Sequence, residues 1–435
     1  MNTLTHVLPG LILKSHYFEL PVDYANPERA KINVFAREVI APGKEKADLP
    51  YLTFFQGGPG FDSPRPNTNS GWLKRALQEF RVLLLDQRGT GLSTPITTQT
   101  LGRFKTPEDQ ADYLQHFRAD NIVRDAEAIR KTLMGDKPWS ILGQSFGGFC
   151  AMRYLSAAPE GLKEVLITGG VPSLTRTTDE VYRATYPSVI AKNRRYYERY
   201  PDDVERVRAI VRYLTDHDVQ LPRSGRLTVQ RFLQLGMAFG ASDGFETIHY
   251  LIEGAFVDGP KGREMSWNFL SNLEHQQAFD TNPIYSLLHE GCYTQADASD
   301  WSAQRLLGEF PEFILDAEGT AGAADPILFT GEMIYPWMFD QYPQLQPLKA
   351  AAEILAKKND WPVLYDAEKL RKNQIPVAAA VYYEDMYVPR QFSDETAQTV
   401  PNVKLWVTNE YEHNGLRADG EIVLDRLLKM ARGEA

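Results

Sequence analysis

Two hydrophobic patterns alternate along the first part of the chain. Leu11 to Val22 alternates apolar and polar positions in part, with the β-prone Tyr17, Phe18 and Leu20, and Lys31 to Ile40 alternates more cleanly. Period-two alternation predicts strands with one face toward a core and the other toward water, here antiparallel at the start of a sheet. Tyr51 to Phe55 and Arg81 to Leu85 are short apolar runs with little alternation, as in strands covered on both faces. Each ends in a glycine-containing loop. Gly71 to Phe80 and Asp120 to Met134 have helical spacing. Ser140 to Leu142 predicts a strand, Phe149 to Ala158 a helix that Pro159 stops, and Glu164 to Gly170 the next strand. Strands alternating with helices predict a mostly parallel α/β sheet.

The rhythm changes at about Pro172. Glu180 to Tyr200, Pro201 to Asp216, Thr228 to Phe239 and Gly244 to Phe256 have helical spacing and many aromatics, and Gly319 to Pro326 is a small-residue loop. Tyr196, Tyr197, Phe232, Tyr250 and Trp267 are read as core. The sheet resumes at Val377 to Tyr383, Val403 to Val407 is its last strand, and Ala418 to Ala431 is the closing helix. The expected organisation is a central sheet flanked by helices, built from residues 1–171 and 344–435, with a mainly helical cap at 172–343.

Composition adds bounds. With 435 residues, 43% of them hydrophobic, the chain can bury one large core plus an inserted unit. The net charge of −10 argues against nucleic acid or an anionic membrane as partner and suits a cationic substrate. The two cysteines, Cys150 and Cys292, argue against a disulfide framework and fit a reducing compartment. Met1 to Thr5 has no basic region, and the Val7 to Leu13 run contains Pro9 and Gly10 and is too short to span a membrane. A soluble, cytoplasmic protein without a transit peptide is expected. Neither a His-Glu-x-x-His spacing nor a Gly-x-Gly-x-x-Gly fingerprint is present, so no metal and no cofactor are expected.

The chemistry is anchored at Gly143-Gln144-Ser145-Phe146-Gly147. Between a strand and a helix, this spacing predicts a nucleophile elbow. An α/β-hydrolase fold then places an acid and a histidine later in the chain, in that order. Asp385 follows the Val377 run, and His413 follows Val407. A serine hydroxyl is a poor nucleophile at neutral pH, so His413 would take its proton while Asp385 holds the imidazole. Glu384 and Asp394 compete with Asp385 for the acid role. For the oxyanion, one donor is expected from the backbone N–H of Phe146. The other is expected from Gln56-Gly57-Gly58-Pro59-Gly60, where glycines let N–H groups approach a substrate. Asp86-Gln87-Arg88-Gly89 reads as structural support.

Gly57-Gly58-Pro59-Gly60, Asp86-Gln87-Arg88-Gly89-Thr90-Gly91-Leu92-Ser93, Gly143-Gln144-Ser145-Phe146-Gly147-Gly148, Asp385-Met386 and His413 together resemble the prolyl iminopeptidase family of serine peptidases. Gln56 stands where many members have His, and Gln144 and Phe146 depart from Gly-Gly-Ser-Trp-Gly, which points to a large-cap subgroup. The resemblance implies release of N-terminal proline from peptides, Gly58 as the loop's oxyanion donor, and cap glutamates that bind the substrate's free amine. Glu290, Glu332 and Glu246 are the candidates; Glu290 and Glu332 lie among apolar and aromatic neighbours and stand above Glu246, and Glu290 is expected to read the amine's charge. Two other readings stay open: a cap-bearing esterase or amidase for small uncharged acyl compounds, and a non-catalytic ligand-binding scaffold. The sequence is silent on oligomeric state.

Overall fold

The computed structural model describes residues 4–223, 225–260, 262–315 and 326–435. Its strands are β1 (Leu4–Leu8), β2 (Leu11–Pro21), β3 (Lys31–Ile40), β4 (Tyr51–Phe55), β5 (Arg81–Asp86), β6 (Trp139–Gln144), β7 (Leu162–Thr168), β8 (Phe256–Gly259), β9 (Gly262–Met265), β10 (Val377–Tyr382) and β11 (Val403–Thr408). All but β8 and β9 form one sheet, in the order β1-β2-β3-β5-β4-β6-β7-β10-β11. The pairs from β1 through β3 to β5 are antiparallel. Those from β5 through β4, β6, β7 and β10 to β11 are parallel.

Burial follows position in the sheet. β10 is buried at every residue, as an apolar run covered on both faces must be. β11, at the edge, alternates. β1, at the other edge, is mostly exposed and was not expected from sequence: Thr5 and His6 dilute its pattern, and pairing with β2 supplies its order. Helices cover both faces. Leu52, Phe54, Leu142, Ala378 and Ala380 share one core with residues of α1 (Gly71–Ala76) and of the C-terminal helix. Phe55, Ile141, Val165, Val377 and Ala379 point the other way, toward α2 (Ala119–Met134) and α3 (Phe146–Ala157). This is the period-two alternation of a strand, with both phases apolar.

Between β7 and β10 the chain includes α4 (Thr178–Arg199), α5 (Asp203–Asp216), α6 (Gly244–Glu253), α7 (Trp267–Gln276), α8 (Pro283–Leu288) and α9 (Ser302–Leu306). After β11 come α10 (Gly415–Ala418) and α11 (Gly420–Arg432). Several expected bounds shift. The Gly244 helix ends at Glu253, and Phe256 instead opens the β8–β9 hairpin, whose second strand begins at Gly262 with φ +100°. The helix expected over Thr228 to Phe239 is α only at Val229–Leu233 and continues as a 3-10 helix, Gln234–Gly240. Tyr196, Tyr197 and Phe232 are buried, but Tyr250 and Trp267 are exposed, because one face of an amphipathic helix must meet water. Of the Gly319 to Pro326 loop, residues 319–325 lie outside the described residues. Among the described residues, no helix is long and apolar enough to cross a membrane.

The carboxyl ends of the parallel strands all lead to one edge of the sheet. Gln56 follows β4, Ser145 follows β6, Asp385 follows β10 and His413 follows β11. In open α/β sheets that edge is where ligands bind.

Candidate active site

Ser145 stands between β6 and α3 with φ 53° and ψ −123°, a conformation costly for a residue with a Cβ. Its N–H donates to the Thr168 carbonyl at 2.9 Å, and its own carbonyl accepts from Gly148 at 2.7 Å, which hold the turn. The neighbouring glycines leave no space for a side chain. A Cβ at Gly147 would sit 2.0 Å from the Phe55 carbonyl oxygen, and one at Gly143 2.4 Å from that of Gly147. Phe146 opens α3, so its N–H has no carbonyl one turn earlier in the helix to bond and lies at the positive end of the helix dipole.

The loop after β4 comes against the serine. A Cβ on Gly57 would lie 3.0 Å from that of Ser145. Gly58 has φ +118°, and the Phe61 ring fills the space beside it. The Gly57 N–H donates to Gln56 Oε1 at 3.2 Å. Gln87 Nε2 donates to the Gln56 carbonyl at 3.0 Å, which fixes the loop from below. The flanking residues are anchored too: Arg65 makes a two-pronged contact to Asp86, and buried Arg88 pairs with Asp125 on α2 at 2.6 Å.

Asp385 is buried, and its Oδ1 accepts from the N–H groups of Tyr387 and Val388 at 2.9 and 3.1 Å. Its Oδ2 lies 2.6 Å from Nδ1 of His413. A carboxylate there accepts the Nδ1 proton, which leaves Nε2 as the imidazole's free lone pair. The His413 N–H is tied to the Gly240 carbonyl at 3.0 Å, and the Tyr387 ring stands edge-on to the imidazole at 4.7 Å. Burial works against a charged imidazole, but Asp385, followed by Glu332, outweighs it and raises the His413 pKa above its ordinary value. The two rival acids are engaged elsewhere, Glu384 with Arg195 and Asp394 with Arg390.

Ser145, His413, Gly57, Gly58 and Glu332 line one cavity of about 630 Å³. Glu332 accepts a 2.8 Å hydrogen bond from the Tyr285 hydroxyl. Burial pushes its carboxyl up to about 7, with His413 pulling the other way. The other two candidate glutamates do not reach this cavity. Glu290 is buried, and its two carboxylate oxygens accept from the N–H groups of Ala303 and Ser302, at 3.0 and 3.3 Å, where α9 begins. Apolar neighbours in sequence were a true sign of burial, but the carboxylate satisfies a helix end rather than facing the cavity. Glu246 is half-buried away from the cavity, 2.7 Å from Arg199 and 3.0 Å from the Tyr200 hydroxyl. Among the described residues, no cluster of three or more His, Cys, Asp or Glu is arranged to hold a metal ion.

Tyr285, Tyr387, Phe61 and Met237 also line the cavity and were not singled out from sequence. Two of them had a sequence signal, Tyr387 two residues after Asp385 and Phe61 directly after Gly60. The others arrive from separate parts of the chain.

Over 432 residues, 99% of each chain, the protein is 50% identical to a proline iminopeptidase of Aeromonas sobria. The chain belongs to the proline iminopeptidase family. It is also 36% identical over 438 residues to proline iminopeptidase aneH of Aspergillus aculeatus, covering 99% of this chain and 96% of the relative. A shorter stretch of 139 residues, 32% of this chain and 40% of the relative, is 30% identical to a proline iminopeptidase of Thermoplasma volcanium. Residues 50–251 match the family model described as the alpha/beta hydrolase fold. The Aeromonas and Aspergillus relatives are thus related to this chain along 99% of its length, and not through the residues of the hydrolase-fold match alone.

Proposed function

We infer that this protein is a serine aminopeptidase that releases N-terminal proline from peptides. Ser145 Oγ attacks the carbonyl of the terminal residue while His413 Nε2 takes its proton. Asp385 keeps the imidazole in the tautomer that can do so. The N–H groups of Phe146 and Gly58 receive the oxyanion. Gly58 is favoured over Gly57 because the Gly57 N–H already serves Gln56. The protonated imidazole then gives its proton to the departing amine, and water releases proline from the acyl-enzyme by the same steps in reverse. The helical segment 172–343 acts as a cap that carries the specificity. Both cysteines are free and buried, which suits a reducing compartment such as the cytoplasm.

The observation that carries this reading is Glu332. It puts a carboxylate into the same cavity as Ser145 and His413, where a peptide's cationic secondary amine needs a counter-charge. An exopeptidase must count one residue from the chain end, and the free amine marks that end. Glu290 and Glu246, the other candidates, have partners that leave neither facing the cavity.

The test compares hydrolysis of proline arylamide, alanine arylamide and N-blocked proline arylamide. Proline arylamide should be preferred over alanine arylamide, and blocking the amine should abolish turnover. Glu332→Gln should lower kcat/KM for proline arylamide by more than about tenfold, since losing one partner of a buried charge pair costs about 2–5 kcal/mol. A small neutral ester should lose much less. Rapid turnover of the blocked substrate would sink the aminopeptidase reading in favour of an esterase or amidase.

A further inference from the structure

The short helix α8 is seated directly on the loops that carry the family's glycines. A Cβ on Gly60 would lie 2.9 Å from both Ile284 Cβ and Tyr285 N, and one on Gly89 2.5 Å from Ile284 Cδ1. Both glycines have positive φ, +93° and +82°. They therefore serve a second purpose beyond loop conformation: they let α8 approach. The contact continues into the cavity. The Phe61 ring, which fills the space beside Gly58, meets the Tyr285 ring edge-on at 5.7 Å. The Tyr285 hydroxyl then donates to Glu332 Oε1 at 2.8 Å. One chain of contacts thus runs from Gly58 through Phe61 and Tyr285 to the Glu332 carboxylate.

The geometry points to Tyr285 as a positioning residue that holds the Glu332 carboxylate in register with the oxyanion loop, so that a substrate amine bound at Glu332 sets its carbonyl against Ser145. The assignment rests on Glu332 as the amine's partner. Tyr285 acts through Glu332 and does not touch the reacting atoms. Its hydroxyl can satisfy one lone pair of Glu332 and leaves the rest for the cation. It also stabilises the ionised carboxylate against the burial that opposes it. The other ionisable groups that act on Glu332, or that it acts on, are His413, Asp385, Tyr387, Tyr293 and Cys292.

The test is a double-mutant cycle on the full chain with Tyr285→Phe and Glu332→Gln, read on proline arylamide and on a small neutral ester. Tyr285→Phe should raise KM for proline arylamide on the order of tenfold, the worth of a hydrogen bond to a charged group, with a smaller change in kcat. The neutral ester should lose less. In the Glu332→Gln background the same change should add little, because the carboxylate it positions is gone. A second readout is competitive inhibition by pyrrolidine, a cationic secondary amine without a carbonyl, followed against pH. The acid limb of its binding should move to higher pH in Tyr285→Phe, since the donor that favours ionised Glu332 is lost. Equal losses on both substrates, full additivity with Glu332→Gln, or an unmoved pyrrolidine limb would each overturn the assignment. If Glu332→Gln alone fails to separate the amine from the ester, the role of Glu332 falls and that of Tyr285 with it. If Glu332→Gln separates them and Tyr285→Phe does not, only the Tyr285 assignment fails.

Discussion

Three side chains from three strand ends make the proposed reacting unit. Neither Ser145 nor His413 can carry the chemistry alone, so their losses should not add. Ser145→Ala and His413→Ala are each expected to abolish turnover in a folded protein, and the double variant should be little worse than either. A double loss equal to the sum of the single losses in activation free energy would argue against the coupling. The environment of His413 makes a second prediction. Its carboxylate neighbours raise its pKa despite burial, so the charged form persists to higher pH than for an ordinary imidazole near 6.5. In the proposed mechanism neutral His413 is the base, so kcat/KM should fall on the acid side with an apparent pKa above about 6.5. A profile flat down to about pH 4.5, with the fold intact, would remove histidine as the base.

At the level of elements, a buried carboxylate and a helix start complete each other. α9 has only five residues, Ser302–Leu306, and its first N–H groups have no partners within the helix. Glu290 supplies them from a 3-10 turn, Glu290–Cys292, that follows α8. Glu290→Ala should therefore cost stability, about 1–3 kcal/mol for donors left buried and unpaired. Its effect on proline arylamide and on a neutral ester should be equal once the folded fraction is matched. A selective loss on the amine substrate, measured beside a denaturation curve, would return Glu290 to the amine site.

Across the whole molecule, buried titratable groups pull stability in opposite directions with pH. Burial raises Glu290 to about 7 from the 4.5 of an exposed glutamate. A raised carboxylate contributes its full stability below about pH 4.5 and loses it as pH rises through about 7, at a cost on the order of 3 kcal/mol. Glu332 follows the same sign, moderated by its opening to the cavity. Burial lowers His289 from 6.5 to about 4, so its contribution is present above about 6.5 and lost as pH falls through 4. Between pH 5 and 8 the two glutamates thus pull stability down as pH rises, while His289 pulls it up. Glu290→Gln keeps an acceptor for one N–H and removes the titration. It should flatten the decline in unfolding free energy between those pH values, followed by urea denaturation. A slope identical to that of the parent protein would show that Glu290 does not titrate in this range.

Local pattern was enough for the strands of the parallel sheet and the strand–turn–helix at Ser145, because each is written in neighbouring residues, while Asp385 and His413 were nominated by the chain order of the hydrolase fold. Period-two and helical spacing report burial directly, and the serine's turn needs glycines within two positions. Family resemblance reached the nature of the substrate and nominated three cap glutamates. Apolar neighbours set Glu290 and Glu332 above Glu246 and put Glu290 first, which the structure corrects: all three carry the same carboxylate and differ only in what folds around them. Glu290 and Glu332 both lie among apolar neighbours in sequence, yet one meets the start of α9 and the other meets Tyr285 and the cavity. That choice was made by the packing of segments distant in the chain, as was the placing of β1, whose order comes from its partner strand. Which N–H, ring or hydroxyl a buried carboxylate finds is a matter of tertiary contact, and no spacing within a single segment encodes it.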